Sequence, residues 1–397
     1  MLDSGVYWIS LIALVLVFWL LHGALRHAFL AISGLIIVAY FDALSAFFLV
    51  LMSVLSFLLI PYLSGNSKGR GWAVVAFAAA LVGPLVYFKS GIVVDVLSAQ
   101  PVKFSADVLV PLGMSYYSFR LIHVVVEAYR RRIARCSAEH FFCYAFLVTI
   151  VPAGPIQRLD LFLAQPVAEF DWDHILHGTY RICLGLIKQV LILEFILQQR
   201  YAVAGVSGLT LQVLEHATFG QKWAILACSY IGSLINLSAY TDIAIGTSRL
   251  FGVQITENFN YPLVAVSLPD FWRRWHITLS SWCQNYIYSP VLGWSRNPYL
   301  ALIVSFQVMG LWHAFSVNRI MWGLFFAAGV AAVSLTQKFY RRRKIVFFET
   351  WAGVAVSWAL TQAYVCASWV FVIAESNADY LATLTVLVRL LAPVPGM

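Results

Sequence analysis

The chain has 397 residues, 61% of them hydrophobic and only 11% charged, with a formal net charge of +8. An ordinary soluble domain carries roughly 25% charged and 45–50% apolar residues, so a soluble globular fold is excluded. A nucleic-acid role needs a large soluble basic surface, whereas the basic residues here fall in short connections: Ser67-Lys-Gly-Arg70, Arg130-Arg-Arg-Ile-Ala-Arg135 and Arg341-Arg-Arg-Lys344.

Apolar stretches approaching the ~20 residues of a membrane helix recur from end to end. In chain order the expected segments are 6–22, 28–41, 43–63, 71–89, 107–128, 141–157, 178–198, 221–242, 281–294, 299–316, 320–340, 347–374 and 379–395. Outer-membrane strands alternate apolar and polar over about ten residues; these runs are continuous and argue for helices. The expectation is an all-α polytopic membrane protein of roughly 11–13 membrane helices with re-entrant or interfacial pieces. Residues 28–41 and 281–294 are short and read as half-spanning or tilted. The first basic residue is Arg26, so 6–22 reads as a retained first span and not a signal peptide. The arginine clusters place their loops in the cytoplasm. No repeat or long linker interrupts the chain, and one domain over 1–397 is expected.

The stretch 243–280 differs in kind. It mixes Arg249, Gln254, Glu257, Asn258, Asn260, Arg273 and Arg274 with Phe251, Phe259, Tyr261, Phe271, Trp272 and Trp275. Polar backbone at membrane depth is tolerated only where protein buries it or it lines a wet cavity. Interfacial or re-entrant helices around an aqueous cavity are therefore expected here.

Two histidines stand out. His313 lies inside the uncharged run 301–316, and His276 closes Asp270-Phe-Trp-Arg-Arg-Trp-His276. An imidazole carried into a membrane is a functional-site hypothesis by default, and one that titrates near neutrality can take a proton and return it. His313 reads equally well as an interhelical hydrogen-bonding residue. Gln307, Gly310 and His313 share one helical face by i+3 spacing, and Gly310 admits the close approach of another backbone or a ligand. Arg273, Arg274 and His276 read either as binding the phosphates of an anionic donor or as an interfacial anchor beside Trp272 and Trp275. His123, Glu127, Glu194 and Asp242 read as ion-paired structural residues. The six cysteines form no C-x-x-C pair and no H-E-x-x-H occurs, so no metal site is expected.

Longer motifs extend these readings. Pro111-Leu-Gly-Met-Ser-Tyr-Tyr-Ser-Phe119, Glu127-Ala-Tyr-Arg130, Ala153-Gly-Pro-Ile-Gln-Arg158, Ser238-Ala-Tyr-Thr-Asp242 through Gly252, Glu257-Asn-Phe-Asn260, Asp270 through Ser280 and Met309-Gly-Leu-Trp-His313 occur in order over about residues 105–340. In this order they resemble the membrane-bound O-acyltransferases, in particular the bacterial branch of alginate O-acetylation and teichoic-acid D-alanyl transfer proteins.

The resemblance implies many helices around a central tunnel, a catalytic His313 and a supporting His276. It implies an acyl group, acetyl before D-alanyl, passing from a cytoplasmic thioester across the bacterial inner membrane. The acceptor would be a hydroxyl of an extracytoplasmic glycan, or a periplasmic partner transferase. The donor would be a substrate and not a bound cofactor: acetyl-CoA or the phosphopantetheine thioester of an acyl-carrier protein. Trp272, Arg273, Arg274, Trp275, Asn285, Gln307 and Trp312 are the residues expected to bind donor or substrate, with Gln307 or Asn285 as oxyanion donors. Relatives in this branch often carry an acidic residue where this chain has Asn285, so no carboxylate role carries over. Two other classes remain open on the sequence: a proton-coupled transporter or channel relaying through His313 and Glu127, and a non-catalytic scaffold for a periplasmic transferase.

Overall fold

The computed structural model describes residues 4–90, 111–152, 154–165, 169–204, 211–344, 346–374 and 380–391. Among them there are helices and connections and no strand. Six helices among the described residues are long and apolar enough to cross a membrane: Ala24–Phe41, Ala43–Ser64, Arg70–Lys89, Phe219–Leu250, Val317–Arg343 and Trp351–Ile373. Gly5–Leu20 and Tyr380–Leu390 are shorter apolar helices. Their outward side chains, among them Ile9, Leu16, Ile36, Trp72 and Leu360, are large, apolar and exposed, as lipid contact requires. The protein is a multi-pass helical membrane protein.

Several expected boundaries move. Residues 28–41 belong to a full-length helix, Ala24–Phe41. The expected span 141–157 is not one: the helix there is Ala138–Phe146, nine residues, and the apolar Leu147–Val151 that follows is buried non-helical chain. Burial against protein and not lipid explains its hydrophobicity, and Pro152 and Pro155 disfavour a helix running on through 157. Residues 281–294 split into Ile277–Cys283, a π-helical turn Gln284–Tyr288 and Ser289–Ser295. The ends of two expected segments, 107–110 of 107–128 and 379 with 392–395 of 379–395, lie outside the described residues, as does Ala153 of the 153–158 motif.

The 243–280 stretch is not one kind of structure. Residues 243–250 complete the 32-residue Phe219–Leu250 helix. That helix runs past Asp242 because its carboxylate is paired with Arg181 at 2.6 Å. Thr247 Oγ1 donates to the Ile243 carbonyl at 2.7 Å. A charge or hydroxyl satisfied this way no longer ends a buried helix.

Contacts divide the chain into two compact units, Met1–Gly185 with Tyr240–Glu257, and Leu186–Ala239 with Asn258–Met397. In the first, Met114–Tyr129 is the buried helix. Gly113 caps it at φ 73°, where a Cβ would run into the Val151 carbonyl. Its charged residues are spent on packing. The buried Arg120 guanidinium donates to the Tyr144 and Ala145 carbonyls. His123 Nε2 accepts from the Leu159 N–H at 3.0 Å, and Glu127 pairs with Arg130 at 2.9 Å and Arg132 at 3.3 Å. Gln157 Oε1 accepts from the Thr256 N–H and hydroxyl at 3.0 and 2.9 Å. Arg181 also grips Glu257 with two bonds of 2.7 and 3.0 Å. A Cβ at Gly246 would lie 2.6 Å from the Gly178 carbonyl. The motif residues of this unit are accounted for by packing and ion pairs.

Candidate active site

Both singled-out histidines lie in the second unit, and its local chemistry explains their placement. Ser267 caps the Leu268–Arg274 helix, its hydroxyl accepting from the Asp270 N–H at 3.2 Å. The chain then turns at His276, which sits at φ 43°, ψ 53° and caps Ile277–Cys283. Asn258 clamps this turn. Its carbonyl accepts from Ile277 N–H at 2.8 Å, and its side-chain oxygen accepts from the Thr278 N–H and hydroxyl at 3.2 and 2.9 Å. The Asn260 N–H donates to the Arg274 carbonyl at 2.9 Å. Left-handed backbone at a non-glycine residue costs about 1–3 kcal/mol and persists where its surroundings over-determine it. These four bonds do that, and they hold a buried imidazole, 3% exposed, against the cavity.

His313 is the last residue of Pro298–His313. Asn297 caps that helix through the Tyr299 and Leu300 N–H groups at 3.0 and 3.2 Å, with Pro298 at its first turn, where a missing N–H is harmless. Ser316 caps the next helix, Val317–Arg343, accepting from Arg319 N–H at 3.3 Å. The two helices form a tight hairpin because Gly310 packs on the Arg319 carbonyl and Gly323 on the Phe306 carbonyl. The close approach expected at Gly310 is thus to a backbone. The carbonyl end of a helix favours positive charge, which suits a ring there that takes up a proton.

His276 and His313 line one cavity of about 290 Å³. The Trp312 ring touches both, with centroids 6.3 Å from His276 and 4.5 Å from His313. Trp272 and Trp275 line the cavity, whereas Trp312 stands behind the lining. Trp272 is fixed edge-on by Phe306, Trp322 and Phe326 at 5.1, 5.9 and 5.0 Å; Trp275 is packed by Phe271 and Phe259 at 5.5 and 5.4 Å. Such offset and edge-to-face aromatic contacts give a wall that keeps its shape. Burial pushes the His276 imidazole down to about 4, so the ring is neutral at physiological pH.

The other expected binding residues stand outside this lining. Arg274 donates to Asp270 at 3.0 Å and to the Asn260 carbonyl at 3.2 Å. Arg273, 75% exposed, lies 3.8 Å from the same carboxylate. The Gln307 amide donates to the Ile320 carbonyl at 3.1 Å, across the hairpin. Asn285 is half-buried in the π-helical turn. The cavity contains residues that the sequence did not single out: Tyr230, Ser233 and Asn236 on the Phe219–Leu250 helix, and Arg319 and Trp322 on Val317–Arg343. The spacing of Tyr230, Ser233 and Asn236, three apart on one helical face in an apolar run, was the available signal. Among the described residues no cluster of three or more His, Cys, Asp or Glu is placed to hold a metal ion.

Residues 36–373 match the model of the MBOAT, membrane-bound O-acyltransferase family. A probable alginate O-acetylase of Pseudomonas putida is 31% identical over 302 residues, covering 72% of this chain and 59% of that protein. A peptidoglycan O-acetyltransferase of Helicobacter pylori is 28% identical over 316 residues, 71% of this chain and 57% of that one. A teichoic acid D-alanyltransferase of Bacillus subtilis is 23% identical over 354 residues, covering 85% and 87%. The chain thus spans a little over half the length of the two acetyl-transferring relatives. With the match running over both units and through both histidines, this chain belongs to the membrane-bound O-acyltransferase family.

Proposed function

We propose that this protein is an O-acyltransferase that moves a short acyl group, acetyl in preference to D-alanyl, from a cytoplasmic thioester to a hydroxyl of an extracytoplasmic glycan. The inner membrane of a bacterium is the proposed location. The observation that carries this reading is the pair of histidines on one tryptophan-walled cavity. At about 290 Å³ it lies at the small end of ligand pockets, which run roughly 300–1,000 Å³, and that favours a short acyl group over a long chain. The relatives named as acetyltransferases support acetyl.

His313 acts as general base. It draws the proton from the acceptor hydroxyl as that oxygen bonds to the thioester carbonyl carbon. The tetrahedral intermediate then collapses, the carbon–sulfur bond breaks, and the imidazolium returns its proton to the leaving thiolate. Proton transfer by a positioned base contributes about 10²–10⁴-fold, and alignment of donor and acceptor within the cavity supplies much of the remainder. His276, buried and neutral, supports the donor end. The exposed Arg273 offers positive charge to an acidic carrier protein, or to the phosphates of a coenzyme-A thioester.

The test is transfer by the purified protein in liposomes. Acetyl-CoA, an acetyl carrier protein and a D-alanyl carrier protein are supplied in turn on one side, with a hydroxyl-rich polysaccharide on the other. The expected result is labelled acetyl ester on the polysaccharide. Solute movement without any ester formation would instead identify a transporter.

A further inference from the structure

Asn236 lies midway along the Phe219–Leu250 helix, half-buried between Ile235 and Leu237. A carboxamide in such a place is costly unless something bonds it. On that helix the side chains of Ser229, Tyr230 and Ser238 are spent within the protein. The Ser229 hydroxyl donates to the Ile225 carbonyl at 2.8 Å, the Ser238 hydroxyl to the Ile235 carbonyl at 3.1 Å, and the Tyr230 hydroxyl to Gln362 at 3.2 Å. Among the described residues nothing hydrogen-bonds the Asn236 carboxamide. It lines the cavity shared by His276 and His313.

We infer that Asn236 binds the acyl thioester directly, its side-chain N–H donating to the thioester carbonyl oxygen. This rests on the acyl-transfer reading of the cavity. When the acceptor oxygen attacks and its proton passes to His313, the carbonyl π pair moves onto that oxygen. An amide donor at that point stabilises the charge where it develops. On collapse the pair reforms the double bond and the thiolate leaves. The amides that the sequence offered for this task do not line the cavity, and Gln307 is already bonded to Ile320. Ser233, one turn before Asn236, shares the lining. Its hydroxyl can turn back to its own helix, as Ser229 does, so the amide is the better donor.

The test compares wild type with Asn236→Leu, Asn236→Asp and Ser233→Ala in the liposome assay. Loss of an oxyanion donor costs about 10²–10³ in kcat. Asn236→Leu and Asn236→Asp should both lose activity in that range with KM for the thioester little changed and thermal unfolding preserved, a larger loss than Ser233→Ala shows. The infrared carbonyl band of a ¹³C-labelled acetyl thioester should shift to lower frequency on binding wild type and stay near its free position in Asn236→Leu. A purely packing role predicts that isosteric Leu keeps both kcat and the band shift. That result overturns the assignment while leaving acyl transfer intact. A wild-type protein that transfers no acyl group overturns both.

Discussion

At the residue scale, His276 combines a strained backbone with complete burial. Asn is among the few residues that accept left-handed φ and ψ, while β-branched residues are outliers there. His276→Asn should therefore fold, and His276→Val should destabilise by about 1–3 kcal/mol, read as a lower midpoint of thermal unfolding in detergent. Acid separates the two forms further. The unfolded imidazole protonates near 6.5, whereas burial holds the native one down at about 4. The contribution is present above pH 6.5 and is lost as pH falls towards 4, by up to about 1.4 kcal/mol per pH unit. Over that window, stability should fall more steeply in wild type than in His276→Asn. Equal slopes would show that the ring is not buried neutral.

At the scale of elements, the hairpin of Pro298–His313 and Val317–Arg343 sets where His313 stands. It closes over two glycines, and a Cβ at Gly323 would lie 2.8 Å from the Phe306 carbonyl and 2.7 Å from the Gln307 amide nitrogen. Gly310→Ala must push Gly310's helix off the Arg319 carbonyl. Overpacking of this kind costs typically 1–3 kcal/mol, and the shift carries His313 with it. Acyl transfer should fall further than stability, measured as turnover against unfolding midpoint. Unchanged turnover would mean that the hairpin does not position the base. Sequence spacing indicated Gly310 because periodicity is a local property. The π-helical turn at Gln284–Tyr288 was hidden because nothing local distinguishes it from α-helix.

At the scale of the molecule, the long helices were legible from continuous apolar runs and the two histidines from their cost. What misled was burial by protein standing in for lipid. Leu147–Val151 reads as membrane span, yet it is buried non-helical chain. Asp242 reads as the end of a helix because its partner, Arg181, is 61 positions away in sequence, by subtraction, and only 2.6 Å away in space. Much of the ordered motif set, including Glu127, Gln157, Asp242 and Gly246, packs the first unit. The cavity-lining Ser233 and Asn236 stood outside the residues that the sequence marked.

The most direct measurement is single-turnover acyl transfer in liposomes by wild type and His313→Gln, each checked for fold by thermal unfolding. A general base supplies about 10²–10⁴-fold. The expected result is a folded His313→Gln protein whose ester formation falls by that factor with thioester binding retained. Transfer at the wild-type rate by that variant would contradict the assignment of His313 as the base.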